Sequence, residues 1–216
     1  MNRIPAREAL ARLRAGNRRF VTELHNRGAV VNHERRLAVA AGQAPFAVIL
    51  GCSDSRVPVE IVFDQGLGDL FVIRVAGNIV APSQVGSVEF AAEHYKTRLV
   101  VVLGHSRCGA VLATIDQLQR PAPMQSRNLH SIVDRVRPAV ENLLGTGLEC
   151  DPDALVDHAV RANIRASADH LRHGSPLIEQ LIENDGMMVI GAEYSLETGD
   201  VDFFDGVPPD HEPIAS

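Results

Sequence analysis

Short apolar runs alternate with longer amphipathic stretches along most of the chain. The runs at 46–50, 70–75 and 99–103 are rich in β-branched residues and bounded by glycine or charge, which predicts buried strands. They are apolar almost throughout rather than at every second position, as expected when helices cover both faces of a parallel sheet. Helical spacing fills the intervals: Val85, Val88, Phe90 and Ala91 mark a helix over 83–95, and another over 108–118 follows the third strand. Upstream, Leu10, Leu13, Phe20, Val21 and Leu24 define an amphipathic helix over 5–24, and a short helix over 34–41 ends at Gly42. Downstream, 128–144 and 152–173 read as helices, the second with Asp151 as N-cap and Pro152 at the first helical position. Ser175 and Pro176 repeat that start signal. Two further strands, 187–194 and 201–204, meet across Glu197-Thr198-Gly199-Asp200, which has hairpin turn chemistry.

This order predicts an α/β fold: a mostly parallel central sheet of four strands plus an antiparallel edge strand, flanked by helices. A chain of 216 residues needs only one core, and no repeat or linker divides it. A single domain over 1–216 is expected, with an N-terminal helical arm over about 1–42 and a loose tail over about 207–216. The proline-rich stretch at 121–123 reads as a loop.

Composition then removes several classes of function. A net charge of -6 with scattered basic residues argues against a nucleic-acid partner. No apolar run reaches the roughly 18 residues of a membrane span, and the polar, arginine-rich start does not resemble a signal peptide, so a cytoplasmic protein is expected. Three cysteines make no disulfide framework, which gives their placement more weight than their number. With no tryptophan and 4% aromatics, stacking platforms are scarce and a small substrate is expected.

Two segments place metal-binding side chains directly after buried strands, at the end of an open α/β sheet where ligands bind. They are Gly51-Cys52-Ser53-Asp54-Ser55-Arg56 and Gly104-His105-Ser106-Arg107-Cys108-Gly109. Two thiolates and an imidazole select zinc over magnesium or calcium. A structural zinc site would need a fourth permanent ligand. Asp54 could supply one, but Arg56 competes for it in a charge-assisted pair, and a position that can open points to catalysis.

Cys-Ser-Asp-Ser-Arg followed by His-Ser-Arg-Cys-Gly resembles the paired motifs of β-class carbonic anhydrases. The segments Phe71-Val72-Ile73-Arg74-Val75-Ala76-Gly77-Asn78 and Gly86-Ser87-Val88-Glu89-Phe90 are also similar to the family, so the resemblance covers roughly residues 40–205. It implies one Zn2+ per chain, held by Cys52, His105 and Cys108, with Asp54 able to take the fourth position. It also implies reversible hydration of carbon dioxide to bicarbonate by zinc-hydroxide attack, with the Asp54 and Arg56 dyad beside the metal. Zinc brings a bound water to a pKa of about 7, a value known from carbonic anhydrase itself rather than derived from these residues. Gln43 and Gly109 match substrate-positioning residues, and Phe71 and Phe90 match aromatic positions that wall the pocket from a partner chain. Phe90 stands where many relatives have tyrosine. The resemblance further implies a homo-oligomer, either a dimer or a dimer of dimers, with the N-terminal helices packing on the partner.

A second subgroup of the family carries a bicarbonate-responsive site around a tryptophan ahead of the first zinc cysteine. Ile49 stands there, although Arg74 and Tyr194 match other positions of that site. Together with Gln43, this favours the plant-like subgroup and no strong bicarbonate allostery. Cys150 has no ligand neighbour at a useful spacing and reads as a plain thiol, while His94, His158, His170 and His173 fall on helices among charges. Ser53, Ser55 and Ser106 are expected to hydrogen-bond local backbone or the sulfurs. Two rival readings are a relative acting on another small cumulated substrate, such as carbon disulfide or carbonyl sulfide, and a noncatalytic zinc-stabilised binding module.

Overall fold

The computed structural model describes residues 4–24, 33–121 and 126–209. The part of the proline-rich loop from residue 122 and the tail from residue 210 lie outside them. Among the described residues five strands form one sheet: β1 (Ala47–Gly51), β2 (Leu70–Arg74), β3 (Leu99–His105), β4 (Met188–Tyr194) and β5 (Val201–Asp205), in the order β2-β1-β3-β4-β5. The first four are mutually parallel and β5 runs antiparallel to β4, as the pattern of apolar runs predicts.

The near-continuous apolar runs serve two faces at once. Val48, Leu50, Val100 and Val102 point into one core, and Ala47, Ile49, Leu99, Val101 and Leu103 into the other. Ile49, Leu50 and Leu103 are wholly buried, and each contributes roughly 2 kcal/mol relative to exposure.

The first core is covered by α4 (Pro82–His94), α5 (Gly109–Gln119), α6 (Arg127–Glu141), α7 (Pro152–His173) and α8 (Pro176–Asn184). Asp151 and Ser175 cap α7 and α8 by accepting the N–H groups of Ala154 and Ile178. The second core is covered by α1 (Ala6–Val21) and the short α3 (Val59–Val62), an element not expected from the sequence because four residues are too few to show a period. α2 (His33–Ala40) buries no residue. The expected end of α6 at residue 144 is three residues too long, since the chain turns after Glu141.

Two close approaches set the layer spacing. A Cβ on Gly104 would lie 2.5 Å from Cδ1 of Ile164, and one on Gly191 would lie 2.8 Å from Cγ2 of the same residue. Ile164 of α7 therefore sits in a notch formed by glycines on two adjacent strands. On the other face, a Cβ on Gly16 of α1 would fall 1.8 Å from the Phe63 carbonyl oxygen. Backbone cannot yield there as a flexible side chain can. Gly16→Ala is expected to destabilise the fold by about 1–3 kcal/mol through overpacking, measured as a lowered urea midpoint; an unchanged midpoint would mean that α1 does not need this close contact.

Candidate metal centre and active site

Parallel pairing of β1 with β3, with Gly51 opposite Leu103, makes both strands end at the same edge of the sheet. Cys52 follows β1 directly. The expected strand at 99–103 runs on to His105, because the pairing with β4 continues to Tyr194. His105 is thus fixed by the ladder itself, and Cys108 follows three residues later at the N-cap of α5. The sulfurs of Cys52 and Cys108 and a ring nitrogen of His105 all lie within 4.8 Å of one another, and all three residues are buried.

The protonation of His105 follows from its neighbours. Nδ1 lies 2.9 Å from the Ser106 carbonyl oxygen, which can only accept, so Nδ1 carries the proton and Nε2 is left as an acceptor. Nε2 is buried and has no hydrogen-bond partner. An orphaned buried acceptor is costly, and here it faces two thiols, which is the donor set that fits a zinc ion.

The two thiols lie close enough to shift one another. A hydrogen bond from Cys108 pulls Cys52 down from 9.0 to about 4 against the opposing effect of burial, and the same bond, reinforced by burial, pushes Cys108 up. The Gly77 N–H also donates to Cys52 Sγ at 3.4 Å. Gly77 adopts φ 71°, a left-handed conformation suited to glycine, and its carbonyl accepts from Asn163 Nδ2 at 2.8 Å.

Asp54 stands beside this group, with Oδ2 3.8 Å from His105 Nε2. Both of its oxygens are occupied by Arg56: Nε donates to Oδ1 at 2.9 Å and a terminal nitrogen to Oδ2 at 2.8 Å, with the Arg56 backbone N–H adding a bond to Oδ1. The Arg56 hydrogen bonds hold the Asp54 carboxyl well below the usual carboxylate range. Arg74, at the end of β2, secures the loop by donating to the carbonyls of Cys52 and Asp54. No pattern in the sequence pointed to that role, which depends on β2 lying beside β1. Gly109 opens α5, where first-turn N–H groups lack helical partners, and a Cβ there would meet open space.

The remaining expected site residues lie elsewhere. Gln43 precedes β1 whereas Cys52 follows it, so the length of the strand, roughly 17 Å, separates them. Gln43 Nε2 donates to the hydroxyl of Tyr95 at 2.9 Å, a partner the sequence did not single out. Phe71 lies with Phe90 and Tyr95 at ring separations of 6.3 and 6.0 Å, and Phe90 stacks on His94. Within one chain these residues form a partly exposed aromatic patch, next to an open hollow of about 600 Å³ lined by Gln43, Gly68, His94 and Tyr95. Cys150 is exposed and free, away from the metal-binding group.

The same architecture occurs in the β-carbonic anhydrase CafA of Aspergillus fumigatus, with a TM-score of 0.72, 25% identity, and coverage of 94% of this chain and 91% of that one. Residues 47–201 match the family model of carbonic anhydrase. The chain belongs to the β-class carbonic anhydrases. A carbonic anhydrase 2 of Mycobacterium tuberculosis is 38% identical over 188 residues, covering 87% of each chain. One of two tetrameric β-carbonic anhydrases from Sordaria macrospora superposes with a TM-score of 0.69 at 26% identity, over 79% of this chain and 85% of that one. Carbonic anhydrases catalyse carbon dioxide hydration, and among the described residues the Cys52, His105 and Cys108 group could hold the metal for it.

Metal binding by this group requires both thiols to be ionised. The Cys52 sulfur and burial push the Cys108 thiol up, so it carries its proton at neutral pH; against the opposing effect of burial, the same sulfur raises the His105 imidazole too, and uptake of zinc by the apo chain at pH 7 is expected to release at least one proton per site. Affinity should fall as pH is lowered. Calorimetry in two buffers of different ionisation heat measures the release; uptake without it would mean that the thiol pair is not engaged.

Proposed function

We propose that this enzyme hydrates carbon dioxide reversibly with one Zn2+ per chain held by Cys52, His105 and Cys108. The observation that carries the reading is the Asp54 and Arg56 pair beside a three-ligand group, because it keeps a fourth donor close to the metal position yet off it. A metal bound there supplies Lewis acidity, making water a usable nucleophile near neutral pH. A noncatalytic zinc module would gain nothing from such an arrangement.

The residues of the chain divide the work. Asp54, kept ionised by Arg56, accepts the hydrogen bond of the attacking water and so aims its lone pair at the carbon of carbon dioxide. Arg56 occupies both Asp54 oxygens and thereby prevents the carboxylate from taking the fourth position, the inactive alternative. The Gly109 N–H donates to an oxygen that gains negative charge as bicarbonate forms. The released proton leaves to solvent. Two thiolates donate charge and oppose ionisation of the water, so turnover should rise toward alkaline pH.

Gln43, Phe71 and Phe90 complete the pocket from a second copy. Their distance from Cys52 within one chain supports this, since the apolar wall for carbon dioxide and the Gln43 amide are useful only if a partner brings them to the metal. A homodimer is then the smallest complete unit, and the tetrameric assembly of the Sordaria macrospora relative is a precedent for a dimer of dimers. The exposed faces of α2 and the aromatic patch are available for that contact. Gln43 together with Ile49 supports the plant-like subgroup. The free cysteines fit a reducing cytoplasm, and among the described residues no helix is long and apolar enough to cross a membrane.

Stopped-flow hydration of carbon dioxide on protein of known zinc content, between pH about 6.5 and 9, is expected to give turnover that climbs with pH; background rates at full zinc loading would overturn the proposal. Arg56→Ala should lose about 100-fold in turnover at neutral pH through a misplaced Asp54, and full turnover would remove the dyad from the mechanism. Mixing Cys52→Ser chains with Gln43→Ala chains, each inactive alone, should restore roughly a quarter of the sites if hybrid dimers form at random. No recovery despite subunit exchange would show that each chain carries a complete site.

A further inference from the structure

The loop between His105 and Cys108 is gripped from outside the motif. Ser106 donates its N–H to the Tyr194 carbonyl at 3.0 Å, continuing the β3 and β4 ladder by one bond. Its hydroxyl donates to Glu197 Oε2 at 3.0 Å and accepts from the Leu196 N–H at 3.0 Å. The other Glu197 oxygen, Oε1, lies 3.3 Å from Arg107 Nε. One carboxylate in the β4–β5 turn therefore holds two consecutive residues of the metal-binding loop. Arg107 needs holding, because it adopts φ 53°, a left-handed conformation unfavourable for a side chain of this kind.

The turn that carries Glu197 is itself braced. Ser195 binds across it, accepting the Thr198 N–H on its hydroxyl at 3.1 Å and donating its own N–H to the Asp200 carbonyl at 2.9 Å. Asn17 of α1 is buried, donates to the Gly199 carbonyl and accepts from the Val201 N–H, each at 2.9 Å. Two independent ties thus fix the turn around Glu197 before its side chain reaches the loop.

His105 depends on the residue so gripped. Its Nδ1–H is donated to the Ser106 carbonyl, and that bond sets both the tautomer and the direction in which Nε2 points. We infer that Glu197, acting through Ser106, is a positioning residue for His105, so that the β4–β5 turn tunes how tightly the site holds its metal. This rests on the reading that Cys52, His105 and Cys108 are the ligands. A stability role does not account for the arrangement. Glu197 and Arg107 are more than half exposed, and exposed ion pairs contribute little to folding.

Cobalt(II) in place of zinc gives a spectrum that reports ligand geometry without any turnover. Wild-type protein is expected to show a thiolate-to-cobalt charge-transfer band. Glu197→Ala should bind cobalt about tenfold more weakly in competition with a chelator and alter the d–d envelope, with its apo melting temperature close to wild type. Glu197→Gln, which retains an oxygen to accept the Ser106 hydroxyl, should recover most of the affinity. Ser106→Ala should weaken binding at least as much, and adding Glu197→Ala to it should cost less than Glu197→Ala costs alone, because the Ser106 contact is already gone and only the Arg107 contact is left to lose. Wild-type affinity and an unchanged spectrum in Glu197→Ala would overturn the inference while leaving the ligand set intact. Absence of the thiolate band in wild type would overturn the ligand set, and the inference with it.

Discussion

Parallel pairing of β1 with β3 is the constraint on which the chemistry depends. Cys52 and His105 are separated by more than fifty residues, and nothing in their local sequence brings them together. Adjacent parallel strands end at the same edge, so one register, Gly51 opposite Leu103, delivers a thiol and an imidazole to one point. α5 then turns back from that edge with Cys108 at its N-cap. A slip of one residue would send these side chains to the opposite face, away from each other. The two buried faces prevent the slip, because Val48 and Leu50 belong to a different core from Ala47 and Ile49.

Around this meeting point the protein arranges two kinds of restraint. Charge keeps Asp54 where it is, since both of its oxygens are satisfied by one guanidinium. Backbone groups restrain the thiol and the imidazole, with the Gly77 N–H on one sulfur and the Ser106 carbonyl on the ring. The first restraint is open to solvent at Arg56 and can exchange. The second is buried and cannot easily do so.

Most of the strands were legible in the sequence because a buried parallel strand is a continuous apolar run, and two helices of the first core, α7 and α8, because they carry explicit caps at Asp151 and Ser175. The metal group was legible for a different reason: two cysteines and a histidine set just after such runs are the soft donors that zinc selects, brought to one edge of a sheet. Elements without a periodic or compositional mark were not readable. α3 is too short, and the last two residues of β3 are polar enough to pass for a loop until their pairing with β4 is seen. Contacts between distant segments, such as Arg74 with the Cys52 carbonyl and Ser106 with Glu197, leave no trace in spacing. Phe71 and Phe90, expected as an aromatic wall, do lie together, yet a single chain places them at the far end of β1 and β2 from the cysteines, a separation that only the sheet reveals.

The glycine notch beneath Ile164 extends the reach of simple packing into the electronic character of the site. Ile164 can lie that close only because Gly104 and Gly191 offer no methyl groups, and its neighbour in α7, Asn163, is the residue that holds the Gly77 carbonyl. The same glycine presents its N–H to the sulfur of Cys52. The gap between a helix and a sheet, fixed by two missing side chains, thereby bears on how readily one sulfur carries negative charge, because the N–H that lowers the Cys52 thiol is held in place from that helix.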